Sequence, residues 1–311
     1  MKVKITSVAK QLPKYFRETK DIIPFVKHWM QNQETRFQRK VIKLFEGAGV
    51  DKRYSIMDPE EVFIATSFEE KNNIYAREVV KLGEQSLKKA LEKANLKAID
   101  LDFIITVSCT GIMIPSMDAY LINSLEMKQD IVRLPVTEMG CAAGVSGIIY
   151  AKNFLKSNPN KRAVVVAVEA PTATFQLDDY SMTNIVSAAI FGDGAASVIL
   201  SSCPEDMGPT ILDEAMYHFY DAEQMMGFKL RNSGLQMVLD KSVPETISNH
   251  FPAIVHPFLE RNGIKIEDVD HLIFHPGGKK LCKLLRNYLV LWVKTLMTPK
   301  MYSKCTGICQ V

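Results

Sequence analysis

The strongest constraint in this sequence is a set of short, almost wholly apolar runs separated by longer amphipathic stretches. Residues 103–107, 164–168, 196–200 and 271–274 are strand-length runs rich in Val, Ile, Leu, Ala and Phe. Strands this apolar need cover on both faces, so they imply a sheet sandwiched between helices. The stretches between them supply those helices. Residues 73–94 place Ala76, Val79, Val80, Leu82, Leu87 and Leu91 among Lys and Glu, and residues 25–44 read as one or two amphipathic helices. An α/β fold follows. With 311 residues and 47% apolar content, the chain can bury one large core or two medium ones.

Composition removes several classes of function. The net charge of +3 gives no reason to expect a nucleic-acid partner. No run reaches the roughly 18 uninterrupted apolar residues of a membrane span, and residues 1–13 lack the apolar core of a signal peptide. The six cysteines, Cys109, Cys141, Cys203, Cys282, Cys305 and Cys309, contain no CxxC pair and no dense framework. Neither a metal site nor disulfides are expected, and a reducing, cytoplasmic setting is.

One cysteine has a distinctive setting. Thr137-Glu138-Met139-Gly140-Cys141-Ala142-Ala143-Gly144 follows a short apolar segment and precedes residues 145–155, which read as a helix. A thiol near a helix N-terminus meets free N–H groups and the favourable end of the helix dipole, which stabilise a thiolate. Small neighbours let a carbonyl approach the sulfur. A buried structural cysteine is the competing reading. A nucleophile also needs a base. His275, placed after an apolar run and before Pro276-Gly277-Gly278, is the histidine whose setting suits a cleft.

These segments together resemble the type III polyketide synthases, the chalcone synthase-like branch of the thiolase superfamily. The residues around Cys141 resemble that family's nucleophile motif, Phe191-Gly-Asp-Gly-Ala-Ala its FGDGAAA segment, and His275-Pro-Gly-Gly its catalytic-histidine motif. Leu230-Arg-Asn-Ser-Gly-Leu235 with Val243-Pro244, and Ser108-Cys-Thr-Gly111 with Pro115 and Asp118, resemble segments beside the substrate cavity. Order and spacing agree from about Lys4 to Lys280. The resemblance implies a homodimer of layered αβαβα subunits, each of two duplicated thiolase-like halves. The first half is expected over 1–205. A partial second half is expected over 206–280, and an aberrant tail over 281–311.

The same resemblance implies an acyltransferase. A starter acyl group passes from acyl-CoA to Cys141, and malonyl-CoA is decarboxylated and condensed by Claisen chemistry. CoA thioesters are substrates and no cofactor is implied. A Cys–His pair held as thiolate and imidazolium would serve as nucleophile and leaving group. Phe175 is implied as a gatekeeper between CoA tunnel and cavity. Cys109, Thr110, Ile114 and Met237 are implied to shape the cavity, and Arg36, Arg39 and Lys43 to meet the CoA phosphates. Apolar Met113, Ile114 and Met237 would suit an aliphatic starter. β-Ketoacyl carrier-protein synthases of the third type and hydroxymethylglutaryl-CoA synthases share the Cys/His arrangement and are the nearest enzymatic rivals. A non-catalytic pseudoenzyme or dimer partner is the rival of another class.

After Lys280 the resemblance stops. No Asp or Glu occurs in the 41 residues after Asp270, and no Gly-Asn motif appears to supply the Asn that joins the histidine in that family. A basic amphipathic helix for a membrane surface, a divergent end and a shifted reading frame are the three readings. Back-translating 292–311 and reading from the third base of each codon can give GKNIDDSKNVLKVYGNMSS. That peptide contains the missing motif. The chain as written is therefore expected to lack an oxyanion donor, whose loss typically costs on the order of 10²- to 10³-fold, and to be poor in stability and condensation.

Overall fold

The computed structural model describes residues 2–64, 66–275 and 277–292, with side chains to Arg286. The strands are β1 (Lys4–Gln11), β2 (Tyr15–Glu18), β3 (Lys52–Ser55), β4 (Phe103–Val107), β5 (Val132–Val136), β6 (Arg162–Glu169), β7 (Gly194–Ser201), β8 (Met226–Arg231) and β9 (Gly234–Leu239). The helices are α1 (Thr19–Trp29), α2 (Thr35–Gly47), α3 (Pro59–Val62), α4 (Phe68–Ala94), α5 (Met117–Ser124), α6 (Ala143–Ser157), α7 (Met182–Ile190), α8 (Val243–Arg261) and α9 (Lys279–Trp292).

Five strands form one sheet in the order β1-β7-β6-β4-β5. β4 runs parallel to β5 and β6, while β7 is antiparallel to both β6 and β1. Side chains alternate across a strand, and here the alternation divides one sheet between two cores. Val164, Val166 and Val168 of β6, with Ile104 of β4, pack under α4. Ala163 and Val165, with Phe103, Ile105 and Val107, pack under α6. The sandwich expected from the apolar runs is therefore present in the first half.

α4 begins where its capping box lies. Ser67 Oγ accepts from Glu70 N at 3.1 Å, and Glu70 Oε2 accepts from Ser67 N at 2.8 Å. It ends at Asn95 in the left-handed region, φ 53°. A third cluster joins α1, α2 and α7 through Ile22, Val26, Val41, Phe45 and Ile185.

The region after residue 205 is built differently. It holds the β8–β9 hairpin and helices α8 and α9, which pack on one another. The strand expected over 271–274 is not formed among the described residues: these positions carry no regular structure, and Ile273 is 96% exposed. Its apolar composition suits a strand, but among the described residues no neighbouring strand receives it. The expected aberrant tail starts as regular structure, with Leu281 and Leu285 of α9 buried. Residues 293–311, on which the reading-frame argument mostly falls, lie outside the described residues. No described helix is long and apolar enough to cross a membrane.

Candidate active site

Cys141 sits on a 3-10 turn, Gly140–Ala142, that leads directly into α6. The chain enters this turn from β5 through Gly140 at φ 53°, where a side chain would be strained. Strand end, left-handed glycine and helix start together present the sulfur at the edge of the sheet. It opens into a cavity of about 1210 Å³. Tyr75, Ser108, Cys109, Met113, Phe228, Met237 and His275 line the same cavity, which is mostly apolar. Lys241, Lys279 and Lys280 lie on its lining beside Leu44, Gly47 and Ala48 at the end of α2.

The electrostatics around the sulfur differ from the thiolate–imidazolium expectation. Burial, and then the nearby Glu169 carboxylate, push the Cys141 thiol up to about 11. No hydrogen bond joins it to His275. The imidazole hangs from the unpaired 271–275 segment, partly open to solvent, and partial burial lowers its pKa. Among the described residues no strand pairs with the segment that carries His275, and no hydrogen bond fixes its ring against the thiol.

Glu169 is the group that reading by motif missed. It is 3% exposed at the end of β6. Its carboxylate accepts from Cys109 N at 3.0 and 3.1 Å and from Thr110 Oγ1 at 2.6 Å. Burial nevertheless raises its pKa to about 7. The signal was a lone acid closing an apolar run, since an acid there is buried by its own strand. Cys109 lies against this carboxylate, and burial followed by Glu169 drives its thiol strongly upward. Asp193 of the Phe191-Gly-Asp-Gly segment is likewise fully buried, and burial raises it to about 6. It accepts from Ile56 N at 2.7 Å, Thr172 N at 3.0 Å and Thr172 Oγ1 at 2.8 Å, so it clamps two loops behind the site.

Residues 2–204 match the family model of chalcone and stilbene synthases, N-terminal domain. This chain belongs to that family of type III polyketide synthases. A 1,3,6,8-tetrahydroxynaphthalene synthase of Streptomyces peucetius subsp. caesius is 31% identical over 253 residues, covering 80% of this chain and 67% of the relative. A phloroglucinol synthase of Pseudomonas fluorescens is 28% identical over 249 residues, covering 80% of this chain and 71% of the relative. The solved 1,3,6,8-tetrahydroxynaphthalene synthase of Streptomyces coelicolor A3(2) superposes with a TM-score of 0.84 at 26% identity, over 92% of this chain and 81% of its own. A germicidin synthase from Streptomyces coelicolor shares the fold at TM-score 0.89 and 20% identity, over 100% of this chain and 89% of that one.

Within this type III synthase the anticipated residues are dispersed. Cys141, His275, Cys109, Ile114 and Met237 all line the large cavity. Ile114, joined to Pro115 by a cis bond, does so only at the rim, because its side chain is 94% exposed. Thr110 falls outside the lining: its hydroxyl is spent between Glu169 and Ala170 N. Phe175 also falls outside it. It borders a neighbouring cavity of about 100 Å³ and packs edge-on against Trp29 at 5.1 Å and Phe63 at 5.7 Å. Arg36, Arg39 and Lys43 stand exposed along α2, and none reaches the cavity. The helix carrying them points its last turn at the rim.

Proposed function

We propose that this chain performs the loading step of a type III polyketide synthase at Cys141. The carrying observation is that Cys141 and His275 open into one large apolar cavity whose lining includes three lysines. The Cys141 sulfur gives up its proton and attacks the thioester carbonyl of acyl-CoA. The carbon–sulfur bond to CoA breaks, and the CoA thiol leaves with a proton. Lysines at the rim and the basic face of α2 suit the CoA phosphates. CoA thioesters are the substrates, with no further cofactor. The same reading makes malonyl-CoA the extender, decarboxylated beside His275. That second step is impaired here, because no Gly-Asn motif supplies the Asn that would join His275 in donating to the enolate oxygen.

Two further features belong to this reading. β5 is an exposed sheet edge with Val132 at 47% exposure, and Ile114 and Tyr120 are exposed as well. Edges of this kind need cover, which supports a homodimer. A cytoplasmic setting fits the reduced thiols of Cys109, Cys141 and Cys203.

The test is intact-mass analysis after incubation with medium-chain acyl-CoA. One acyl adduct is expected on the chain and none on Cys141→Ala. With malonyl-CoA added, condensation product should be scarce. No adduct on the parent chain under any acyl-CoA would overturn the loading assignment, and abundant product would overturn the impairment.

A further inference from the structure

Tyr75 and Ser108 form a hydroxyl pair inside the cavity, with Tyr75 Oη 2.6 Å from Ser108 Oγ. Tyr75 is 2% exposed and Ser108 9% exposed. Both line the Cys141 cavity. Two hydroxyls carry two hydrogens, and one hydrogen bond between them uses one. Among the described residues neither hydroxyl has another side-chain or backbone partner. One O–H is therefore left over, buried, at the wall of a space that is otherwise mostly apolar. An unmatched buried donor costs stability unless something accepts from it.

The pair is held in place. A Cβ at Gly111 would come within 2.2 Å of the Tyr75 ring, so the ring occupies the room that glycine leaves. Burial keeps the phenol protonated, and hence a donor. The neighbourhood is that of the nucleophile: Tyr75, Ser108 and the adjacent Cys109 share one cavity lining with Cys141.

We infer that the Tyr75–Ser108 pair is a specificity-determining donor for a carbonyl oxygen on the acyl chain delivered to Cys141, favouring 3-oxoacyl over saturated thioesters. This rests on the loading assignment above. An aliphatic chain leaves the donor unmatched, whereas a keto oxygen satisfies it. The pair also predicts a particular pattern of mutants. Removing either hydroxyl frees the other, which still has a hydrogen to give. Removing both leaves none.

The experiment compares equilibrium binding of 3-oxohexanoyl-CoA and hexanoyl-CoA by titration calorimetry, in full-length Cys141→Ala so that acyl transfer plays no part. The 3-oxo preference should survive in part in Tyr75→Phe and in Ser108→Ala. It should fall about three- to tenfold in Tyr75→Phe/Ser108→Ala, the scale of one neutral hydrogen bond. If thermal melts show that the double variant does not fold, Tyr75→Phe/Ser108→Val, which fills the space of the lost hydroxyls without a donor, serves in its place. An undiminished preference in the double variant, or no preference in the parent, overturns the inference. Mass labelling of Cys141 by hexanoyl-CoA is read separately, so failure of loading and failure of the donor pair are distinguishable.

Discussion

Two regions of this molecule, before and after residue 205, hold a cavity residue in opposite ways. Cys141 is fixed by a buried five-stranded sheet, a left-handed glycine and a helix start. His275 hangs from irregular backbone that pairs with no strand among the described residues, near an Ile273 that is 96% exposed. Both groups reach the same cavity, yet only one is placed by a cooperative core. A strand is positioned by its neighbours as much as by its own residues. Apolar composition without pairing therefore yields proximity but not geometry.

This contrast can be broken most directly by hydrogen exchange. Amides of β6 should exchange on the order of 10³-fold or more slowly than those of 271–275, because the former open only with the whole sheet. Equal protection in both would show that the second half has a strand partner in solution. The next largest effect is chemical. With its pKa near 11, Cys141 should be alkylated by iodoacetamide about tenfold faster per pH unit from pH 7 to 10. A rate already flat above pH 7 would mean that His275 does stabilise a thiolate. Glu169→Gln should raise the rate at any pH in that range by removing a neighbouring negative charge.

Packing provides a smaller and more local contrast. Ile104→Ala, in the fully buried middle of β4, should cost about 2–5 kcal/mol. Ile273→Ala should stay within about 0.5 kcal/mol. Chemical denaturation compares them, and similar losses would refute the difference between the halves. The last effect is the dependence of stability on pH. Glu169 titrates near 4.5 when unfolded and near 7 when folded, so the native state binds the extra proton between those values. Stability should therefore fall as pH rises from about 4.5 to 7, by up to about 3 kcal/mol. Glu169→Gln should remove most of that slope. A smaller one, from Asp193, should remain at the acid end, because its folded pKa lies near 6. A parent melting temperature that is flat across this window would refute the assignment.

What could be read from the sequence depended on how local the determining forces are. Residues 103–107 match β4, because a strand buried on both faces carries its signature in its own five residues. The helix expected over 73–94 starts earlier, at Phe68, since the Ser67–Glu70 cap precedes the apolar periodicity. Ser67-x-x-Glu70 is a capping-box pattern, which apolar periodicity does not register. The 271–274 run misled because pairing is non-local: no residue within it says whether a neighbour exists. In the site, Cys141 was legible from glycine and small residues around it, and His275 from the glycines after it. Tyr75 was not, because on α4 it sits among core positions with identical spacing. The packing of Phe175 against Trp29 and Phe63 was not legible, because those aromatic partners lie far away in sequence.

Phe191 and Met237 line both the large cavity and the small one beside it. Phe191 and Met237 are thus walls common to the two spaces. Phe191 stands at the end of α7, in the well-packed half, while Met237 comes from β9, on the hairpin of the sparse half. The space for an acyl chain is therefore a shared dimension. A shift of the hairpin by an ångström would resize it without altering any residue around the sulfur, much as moving one jamb changes a doorway.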